Sequence, residues 1–285
     1  MTDQPNAAMA EFWNGKGGKN WVSREVWLES SLKVFGQQAI DAGGISPGER
    51  ILDIGFGCGE TSIELAQTVG LKGHVHGVDI SVAMVQAAEK KAREKAVANV
   101  SFECADAQTR TFPVDYYDLV FSRFGVMFFD DPISAFNNLY ASLKPGGRLV
   151  FICWASRDQN AWVGLPLQVV AQHLSLPPAP ASDEPGPFSL SDVTRVNSIL
   201  TAAGFADISI ESFQTSFVLG EDVDEALSFL MQLAPSGSAI NNADADQETR
   251  ARIALDMAEL LKSYADDENV SMNASALLVT ACKQD

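Results

Sequence analysis

Apolar residues along this chain form short continuous runs that alternate with stretches of helical spacing. The first clear run spans residues 51–54, and the apolar positions after it recur at the three- and four-residue spacing of an amphipathic helix. Similar strand-like runs follow at 74–79, 100–105, 117–122 and 149–154, with helical stretches between them. Strands that alternate with helices predict an α/β domain built on a doubly wound sheet.

The pattern becomes less regular after residue 155. It predicts a helix at 162–174, a proline-rich loop, and a helix that ends at Gly204. Alternating apolar and polar positions at 208–213 predict a sixth strand, and the run 272–282 predicts a seventh, with two amphipathic helices between them. The prolines of the loop are Pro177, Pro178, Pro180, Pro185 and Pro187.

Three glycines alternate with other residues directly after the first strand, at Gly55, Gly57 and Gly59. Glycine lets a loop turn sharply and lets a ligand approach the backbone without a Cβ in the way. The N–H groups that open the next helix face such a ligand. The dinucleotide-binding fingerprint would require glycine where Glu60 stands. The spacing from Asp53 is instead Asp-x-Gly-x-Gly-x-Gly.

Two further acids follow the next two predicted strands. Asp79 lies about 20 residues beyond Gly59, where nucleotide-binding β-α-β units carry a ribose-binding carboxylate. Asp106 follows the third strand. Because open α/β sheets bind ligands at the carboxyl ends of their strands, these acids indicate a nucleoside-binding edge of the sheet.

The pattern over 53–59 resembles motif I of the class I S-adenosylmethionine-dependent methyltransferases, and the turn at 143–147 resembles the segment before their fifth strand. Residues 12–15 and 128–132 are similar to bacterial small-molecule methyltransferases related to the ubiquinone and menaquinone methylating enzymes. The resemblance implies a seven-stranded sheet of order 3-2-1-4-5-7-6 with an antiparallel last strand. It also implies S-adenosylmethionine as cofactor and S-adenosylhomocysteine as product.

The resemblance assigns roles to residues at the strand ends. The glycine loop would wrap the amino-acid end of the cofactor, Asp79 would bind its ribose, and Asp106 with the backbone N–H of Ala107 would face its adenine. The implied cofactor-binding residues are Trp21, Asp53, Gly55, Phe56, Gly57, Gly59, Asp79, Ile80, Met84, Ala105, Asp106, Ala107, Ser122, Arg123 and Phe124. The implied substrate-binding residues are Trp13, Phe128 and Trp154.

Several of these side chains have two interpretations. Met84 either flanks the adenine or packs in the core. Arg123 either binds a substrate acid or pairs with a carboxylate of the chain. His173 is the one histidine of the C-terminal half and a candidate base, but its apolar helical neighbours favour a packing role. His74 and His76 are expected to be structural, so the catalytic base is left unassigned and no metal is expected.

Residues 1–44 precede the glycine loop and are rich in aromatic side chains. From Ser23 onward their spacing predicts one or two amphipathic helices, which in this fold commonly form a lid. Phe12, Trp13 and Trp21 either pack against the sheet or close over the cofactor, where an aromatic face stabilises a sulfonium cation.

The predicted organisation is one methyltransferase domain with a lid at 1–44 and a cofactor-binding core at 45–155. The closing strands are placed at 205–218 and 270–283. About 50 residues separate the last two strands, which is longer than usual connections. We therefore expect 156–190 and 220–268 to be cap elements that cover a substrate cavity, with dimerisation as the other use of the second segment.

Charge narrows the range of partners. The chain has 285 residues, 46% of them hydrophobic, and its 20 Lys and Arg against 37 Asp and Glu give a net charge of −17. Such a surface repels phosphate backbones and anionic lipid, so we expect neither nucleic acid nor membrane as a partner. Four scattered cysteines and no long apolar run predict a reduced cytoplasmic protein. We expect a monomer or a homodimer.

The sequence thus predicts methyl transfer to a small aromatic or apolar metabolite, achieved mainly by alignment and exclusion of water. Oxygen, nitrogen and carbon all remain open as the methyl acceptor. One alternative is a protein methyltransferase, which would have an open cleft. The other is a protein that binds S-adenosylmethionine without methyl transfer, either a regulator or a catalyst of cyclisation or dehydration.

Overall fold

The computed structural model describes residues 5–178, 181 and 183–284, so Pro180 of the predicted loop lies outside the described residues. The strands are β1 Arg50–Ile54, β2 His74–Asp79, β3 Val100–Cys104, β4 Tyr117–Arg123, β5 Leu143–Trp154, β6 Ala206–Gly220 and β7 Val270–Cys282. The α-helices are α1 Ala7–Asn14, α2 Lys16–Ser23, α3 Glu25–Ala42, α4 Glu60–Val69, α5 Val82–Glu94, α6 Pro132–Ser142, α7 Ala161–Ala171, α8 Val193–Ala202, α9 Val223–Gln232, α10 Pro235–Asn242 and α11 Gln247–Lys262.

The strands form one seven-stranded sheet of order β3-β2-β1-β4-β5-β7-β6. The pairs from β3 to β5 are parallel, and β7 runs antiparallel to β5. The predicted fold class and strand order are therefore confirmed. In this register Asp53 of β1 lies opposite Gly77 of β2 and Phe121 of β4. The carboxyl ends of the central strands consequently meet at one edge of the sheet.

The interior of this sheet is closed to solvent because its central strands are apolar on both faces. Leu52, Phe121 and Phe151 are fully buried in β1, β4 and β5, and Phe35 of α3 is equally buried. Replacing a buried phenylalanine by alanine in such a core destabilises a protein by about 3 to 5 kcal/mol. The strand ends that carry the predicted acids are thus held by a rigid support.

The helical predictions differ from the structure at three places. From Ser23 onward the chain forms one helix, α3, as predicted, but α1 and α2 precede it and were not predicted. The segment between β6 and β7 forms three helices instead of two, since Pro235 begins a separate helix at its first position. Helix α7 ends at Ala171, so His173 lies just beyond the helix that was predicted to contain it.

The chain divides into two compact units. The first contains residues 1–154, 182–212 and 276–285, and the second contains 155–181 and 213–275. In the second unit α7, α9, α10 and α11 pack together, and Trp162 contacts Phe217 with ring centroids 5.0 Å apart. Within the described residues no helix is long and apolar enough to cross a membrane.

Candidate functional site

The glycine loop connects β1 to α4 with a backbone that side chains would obstruct. Gly55, Gly57 and Gly59 have φ angles of 66°, 62° and 83°. A Cβ at Gly55 would lie 2.6 Å from the Cα of Gly125, and a Cβ at Gly59 would lie 2.6 Å from the Cβ of Ala88. The loop can therefore keep this path only with glycine at both positions.

Asp53 lies at the end of β1 and is completely buried. The Ser62 hydroxyl donates a hydrogen bond of 2.5 Å to its Oδ2, and the Thr61 hydroxyl lies 3.5 Å from the same oxygen. Burial raises the pKa of Asp53 to about 7, although the Ser62 hydrogen bond lowers it. Its Oδ1 has no hydrogen-bond partner among the described residues. This buried oxygen can accept a hydrogen bond from a cationic group of a ligand.

Asp79 at the end of β2 joins the glycine loop to the start of α5. Its Oδ2 accepts a hydrogen bond of 2.9 Å from the Gly57 N–H, and its Oδ1 accepts one of 2.9 Å from the Ser81 N–H. Burial raises the pKa of Asp79 to about 6, and the N–H groups of Ser81 and Gly57 oppose that shift. Asp79 is only 8% exposed, and its carboxylate links the end of β2 to the glycine loop.

Asp106 follows β3 and is bound by residues distant in sequence. Its Oδ1 accepts hydrogen bonds from Asn6 Nδ2 at 2.7 Å and from the Gln108 N–H at 2.9 Å. Its Oδ2 lies 3.2 Å from the Thr109 hydroxyl, which donates to it. The sequence predicted Asp106 at this edge of the sheet but did not predict Asn6 or Gln108.

A second asparagine fixes the N-terminal segment to the start of α5. Asn14 Nδ2 donates to the carbonyl oxygen of Ile80 at 3.0 Å, and Asn14 Oδ1 accepts from the Val82 N–H at 3.0 Å. The Ser81 hydroxyl donates to the Trp13 carbonyl oxygen at 2.9 Å. Asn14 was not predicted as a site residue, although it stands inside the 12–15 motif.

The predicted aromatic residues of this segment form a cluster around Trp13. Its ring centroid is 5.0 Å from that of Phe12, 5.7 Å from Trp21 and 5.2 Å from Phe128, each in edge-on geometry. A Cβ added to Gly57 would lie 3.5 Å from the indole nitrogen of Trp21, so this side chain lies against the glycine loop. Phe12 is half exposed at the outside of the cluster.

The end of β4 is held against the end of β1. The Ser122 hydroxyl donates to the Ile54 carbonyl oxygen at 2.8 Å and accepts from the Gly125 N–H at 3.1 Å. The Arg123 guanidinium binds the Glu29 carboxylate of α3 through two hydrogen bonds, one of them 3.0 Å long. Of the two interpretations of Arg123, the structure shows the pairing with a carboxylate.

Phe124 and Trp154 come together at the ends of β4 and β5. Phe124 has φ 60°, an uncommon conformation for a bulky side chain. Its ring stacks on Trp154 with centroids 4.3 Å apart and planes at 20°. The ring of Phe35 contacts both, at 5.5 Å and 5.1 Å. The rings of Phe35, Phe124 and Trp154 thus form one buried aromatic cluster.

The remaining predicted residues lie in the same part of the first unit. The Phe56 ring packs on Phe102 at 4.7 Å, so only its backbone belongs to the loop surface. Met84 and Ala107 are buried, and the Ala105 N–H donates to the Asp79 carbonyl oxygen. For Met84 this burial is compatible with both of its interpretations.

Each histidine has a hydrogen-bond partner in the chain. A ring nitrogen of His173 lies 2.7 Å from Asp256 Oδ2 within the second unit. His76 bonds Tyr117 and Glu103, and His74 bonds Ser101. Over the part of the chain that the structure describes, no three His, Cys, Asp or Glu side chains group so that they could hold a metal ion.

The sheet order is that of a methyltransferase-like α/β fold. Residues 51–147 match the family model described as a methyltransferase domain. The predicted resemblance is confirmed for this segment.

Two curated methyltransferases are similar to part of this chain. The chain is 38% identical to aklanonic acid methyltransferase DauC of Streptomyces sp. strain C5 over 117 residues, which are 41% of this chain and 53% of the relative. It is 31% identical to the ubiquinone/menaquinone biosynthesis C-methyltransferase UbiE of Vibrio vulnificus over 147 residues, which are 51% of this chain and 56% of the relative. The chain thus spans about half the length of these relatives.

A solved structure supports the fold. Phosphoethanolamine N-methyltransferase 2 of Haemonchus contortus, in complex with phosphomonomethylethanolamine and S-adenosylhomocysteine, aligns with a TM-score of 0.54 at 22% identity. The alignment covers 88% of this chain and 52% of that protein. At this identity the likeness establishes the shared fold.

Proposed function

We propose that this chain is an enzyme that transfers the methyl group of S-adenosylmethionine to a small apolar or aromatic metabolite and releases S-adenosylhomocysteine. The observation that carries the proposal is the joining of the glycine loop to the strand-end acids, above all the bond from the Gly57 N–H to Asp79. The methyltransferase family of residues 51–147 and the names of the relatives support the same reaction class.

The residues present fit an adenosyl sulfonium ligand. The unpartnered Oδ1 of Asp53 suits an ammonium donor, and the glycine loop offers backbone close to the same place. The Asp79 carboxylate suits two ribose hydroxyl donors, as the resemblance implies. Asp106 suits the amino group of adenine.

S-adenosylmethionine, when bound, supplies an activated methyl group. The chain then needs chiefly to align the acceptor and to exclude water. The side chains of the cluster around Trp13 supply apolar surface for both tasks, because Trp13 and Phe128 are partly exposed. Their aromatic character supports an apolar or aromatic acceptor. The proposal assigns no base, and it leaves the acceptor atom open.

The proposal is tested by incubating the protein with methyl-labelled S-adenosylmethionine and a panel of phenols, quinols and aromatic polyketide acids. We expect label in at least one organic product, with an equal amount of S-adenosylhomocysteine formed. Asp79→Ala is the matched control and should lose the transfer. Tight cofactor binding without transfer to any member of a broad panel would contradict methyl transfer and favour the binding-only alternative.

A further inference from the structure

The Asn6 side chain joins three polar groups that are 100 or more residues away in sequence. Its Nδ2 donates to Asp106 Oδ1 at 2.7 Å and to Gln108 Oε1 at 3.2 Å, and its Oδ1 accepts from the Asp130 N–H at 2.6 Å. Asn6 is 5% exposed and has φ 56°, a conformation that asparagine adopts more readily than most residues. A nearly buried amide with this many partners is held in one orientation.

These bonds restrict how Asp106 can meet a ligand. Oδ1 accepts two N–H donors, one from Asn6 and one from the Gln108 backbone, whereas Oδ2 accepts one hydroxyl donor from Thr109. A carboxylate has about four acceptor positions in total. The position left for a ligand is therefore on Oδ2, and the two donors on Oδ1 fix the plane of the carboxylate.

We propose that Asn6 is a positioning residue that makes the cofactor site select a 6-amino purine over a 6-oxo purine. The inference rests on the proposed function, in which Asp106 faces the adenine. An amino group donates a hydrogen bond to Oδ2, whereas a 6-oxo group would bring its own lone pairs against the carboxylate. A site built around one hydrogen-bond pattern rejects the opposite pattern because a polar group is left unpaired.

A structural role for the same residue would have different consequences. If Asn6 only attached the N-terminal segment, its loss would weaken every adenosyl and inosyl ligand by the same factor. Asn14 provides the comparison, because it attaches the same segment through the backbone of Ile80 and Val82. The ratio of the affinities for the adenosyl and the inosyl ligand therefore distinguishes a positioning role of Asn6 from a purely structural one. The affinity for one ligand alone would not.

The experiment measures dissociation constants for S-adenosylhomocysteine and S-inosylhomocysteine by calorimetry. The proteins are the unmodified chain, Asn6→Gly and Asn14→Ala; glycine at position 6 removes the amide without a penalty for positive φ. We expect the unmodified chain to prefer the adenosyl ligand by about tenfold or more, the value of one charge-assisted hydrogen bond. Asn6→Gly should reduce this ratio to within about threefold of unity, and Asn14→Ala should leave it unchanged.

A second variant keeps the inference testable if Asn6→Gly does not fold. In Asp106→Asn, the donors on the Oδ1 side should hold the carbonyl oxygen there and turn the new NH2 group toward the base. We therefore expect Asp106→Asn to prefer the inosyl ligand. An unchanged affinity ratio in Asn6→Gly, or no reversal in Asp106→Asn, would overturn the inference while S-adenosylhomocysteine still bound. Failure of the unmodified chain to bind S-adenosylhomocysteine would overturn the proposed function as well.

Discussion

Asp53 and Asp79 are carboxyl groups that the fold places almost out of reach of solvent. Burial raises the pKa of Asp53 to about 7 and that of Asp79 to about 6, whereas both have ordinary values near 3.8 in an unfolded chain. Groups with a raised folded pKa bind more protons in the folded state. Their contribution to stability is complete below about pH 4 and is lost as the pH rises through about 6 to 7.

Asp53→Asn should therefore change how stability depends on pH. We expect the unmodified ligand-free protein to lose about 2 kcal/mol more of its unfolding free energy than Asp53→Asn does between pH 5 and pH 8. Urea unfolding at the two pH values measures this difference. The same variant should bind S-adenosylmethionine more weakly, because the negative charge that attracts a cationic group of the ligand is gone. Equal pH dependence in the two proteins would refute this assignment of the raised pKa.

The sequence predicted the strand-end acids but not the polar side chains that hold them. Asp53, Asp79 and Asp106 follow apolar runs, so their place at the edge of the sheet follows from local pattern. Asn6 and Glu29 act through partners about 100 residues away, and nothing in a local pattern distinguishes them from other polar residues of a helical segment. Long-range side-chain pairing of this kind becomes visible only in the folded chain.

At the scale of elements, α3 is joined to β4 by the ion pair between Glu29 and Arg123. The two side chains are 19% and 8% exposed, so the pair lies largely out of water. Removing one partner of such a pair leaves an uncompensated charge in a place of low polarity. The pair therefore fixes where the N-terminal helices meet the end of β4.

We expect Glu29→Ala to lower the unfolding free energy by about 3 kcal/mol, because the Arg123 charge would stay buried without its partner. Glu94→Ala is the matched control within the first unit. Glu94 pairs with Lys90 on α5 at 3.8 Å, with side chains 64% and 72% exposed, and its loss should change stability by at most about 0.5 kcal/mol. Chemical denaturation measures the unfolding free energy of both variants and shows whether the Glu29–Arg123 pair contributes more to stability than the exposed pair. Similar losses in the two would contradict the assigned role of Glu29.

The contact between the ends of β1 and β4 is a second element-level feature. A Cβ at Gly125 would lie 2.4 Å from the Ile54 carbonyl oxygen and 2.8 Å from the Cα of Gly55. Both neighbours are backbone atoms and cannot rotate away.

Gly125→Ala should therefore destabilise the protein by about 2 to 3 kcal/mol and displace the glycine loop. Gly164 lies inside α7, and apart from the backbone of that helix a Cβ there would have its nearest neighbour, the Arg157 carbonyl oxygen, at 4.0 Å. The control Gly164→Ala should be neutral or stabilising by up to about 1 kcal/mol, because alanine is the better helix former. Thermal or urea unfolding measures the stability of Gly125→Ala and Gly164→Ala and so checks both predicted changes. A Gly125→Ala protein as stable as the control would show that the two strand ends are not in tight contact.

For the whole molecule, the seven strands and their order were predictable, since the core strands are apolar runs and the resemblance supplied the order. The number of helices was predicted only in part, because α1 and α2 were not predicted and the break at Pro235 depends on local backbone geometry within an otherwise helical pattern. The predicted cap formed by 156–190 and 220–268 stays a prediction, as do the monomer or homodimer state and the cytoplasmic location.

Calorimetric titration with S-adenosylmethionine tests the central claim most directly. We predict one binding site per chain in the unmodified protein and an affinity more than about tenfold weaker in Asp79→Ala, which loses a charge-assisted interaction with the ribose. The melting temperature of Asp79→Ala without ligand is the control for an intact fold. No binding by the unmodified protein at millimolar ligand, or tighter binding of a pyridine dinucleotide, would contradict the claim.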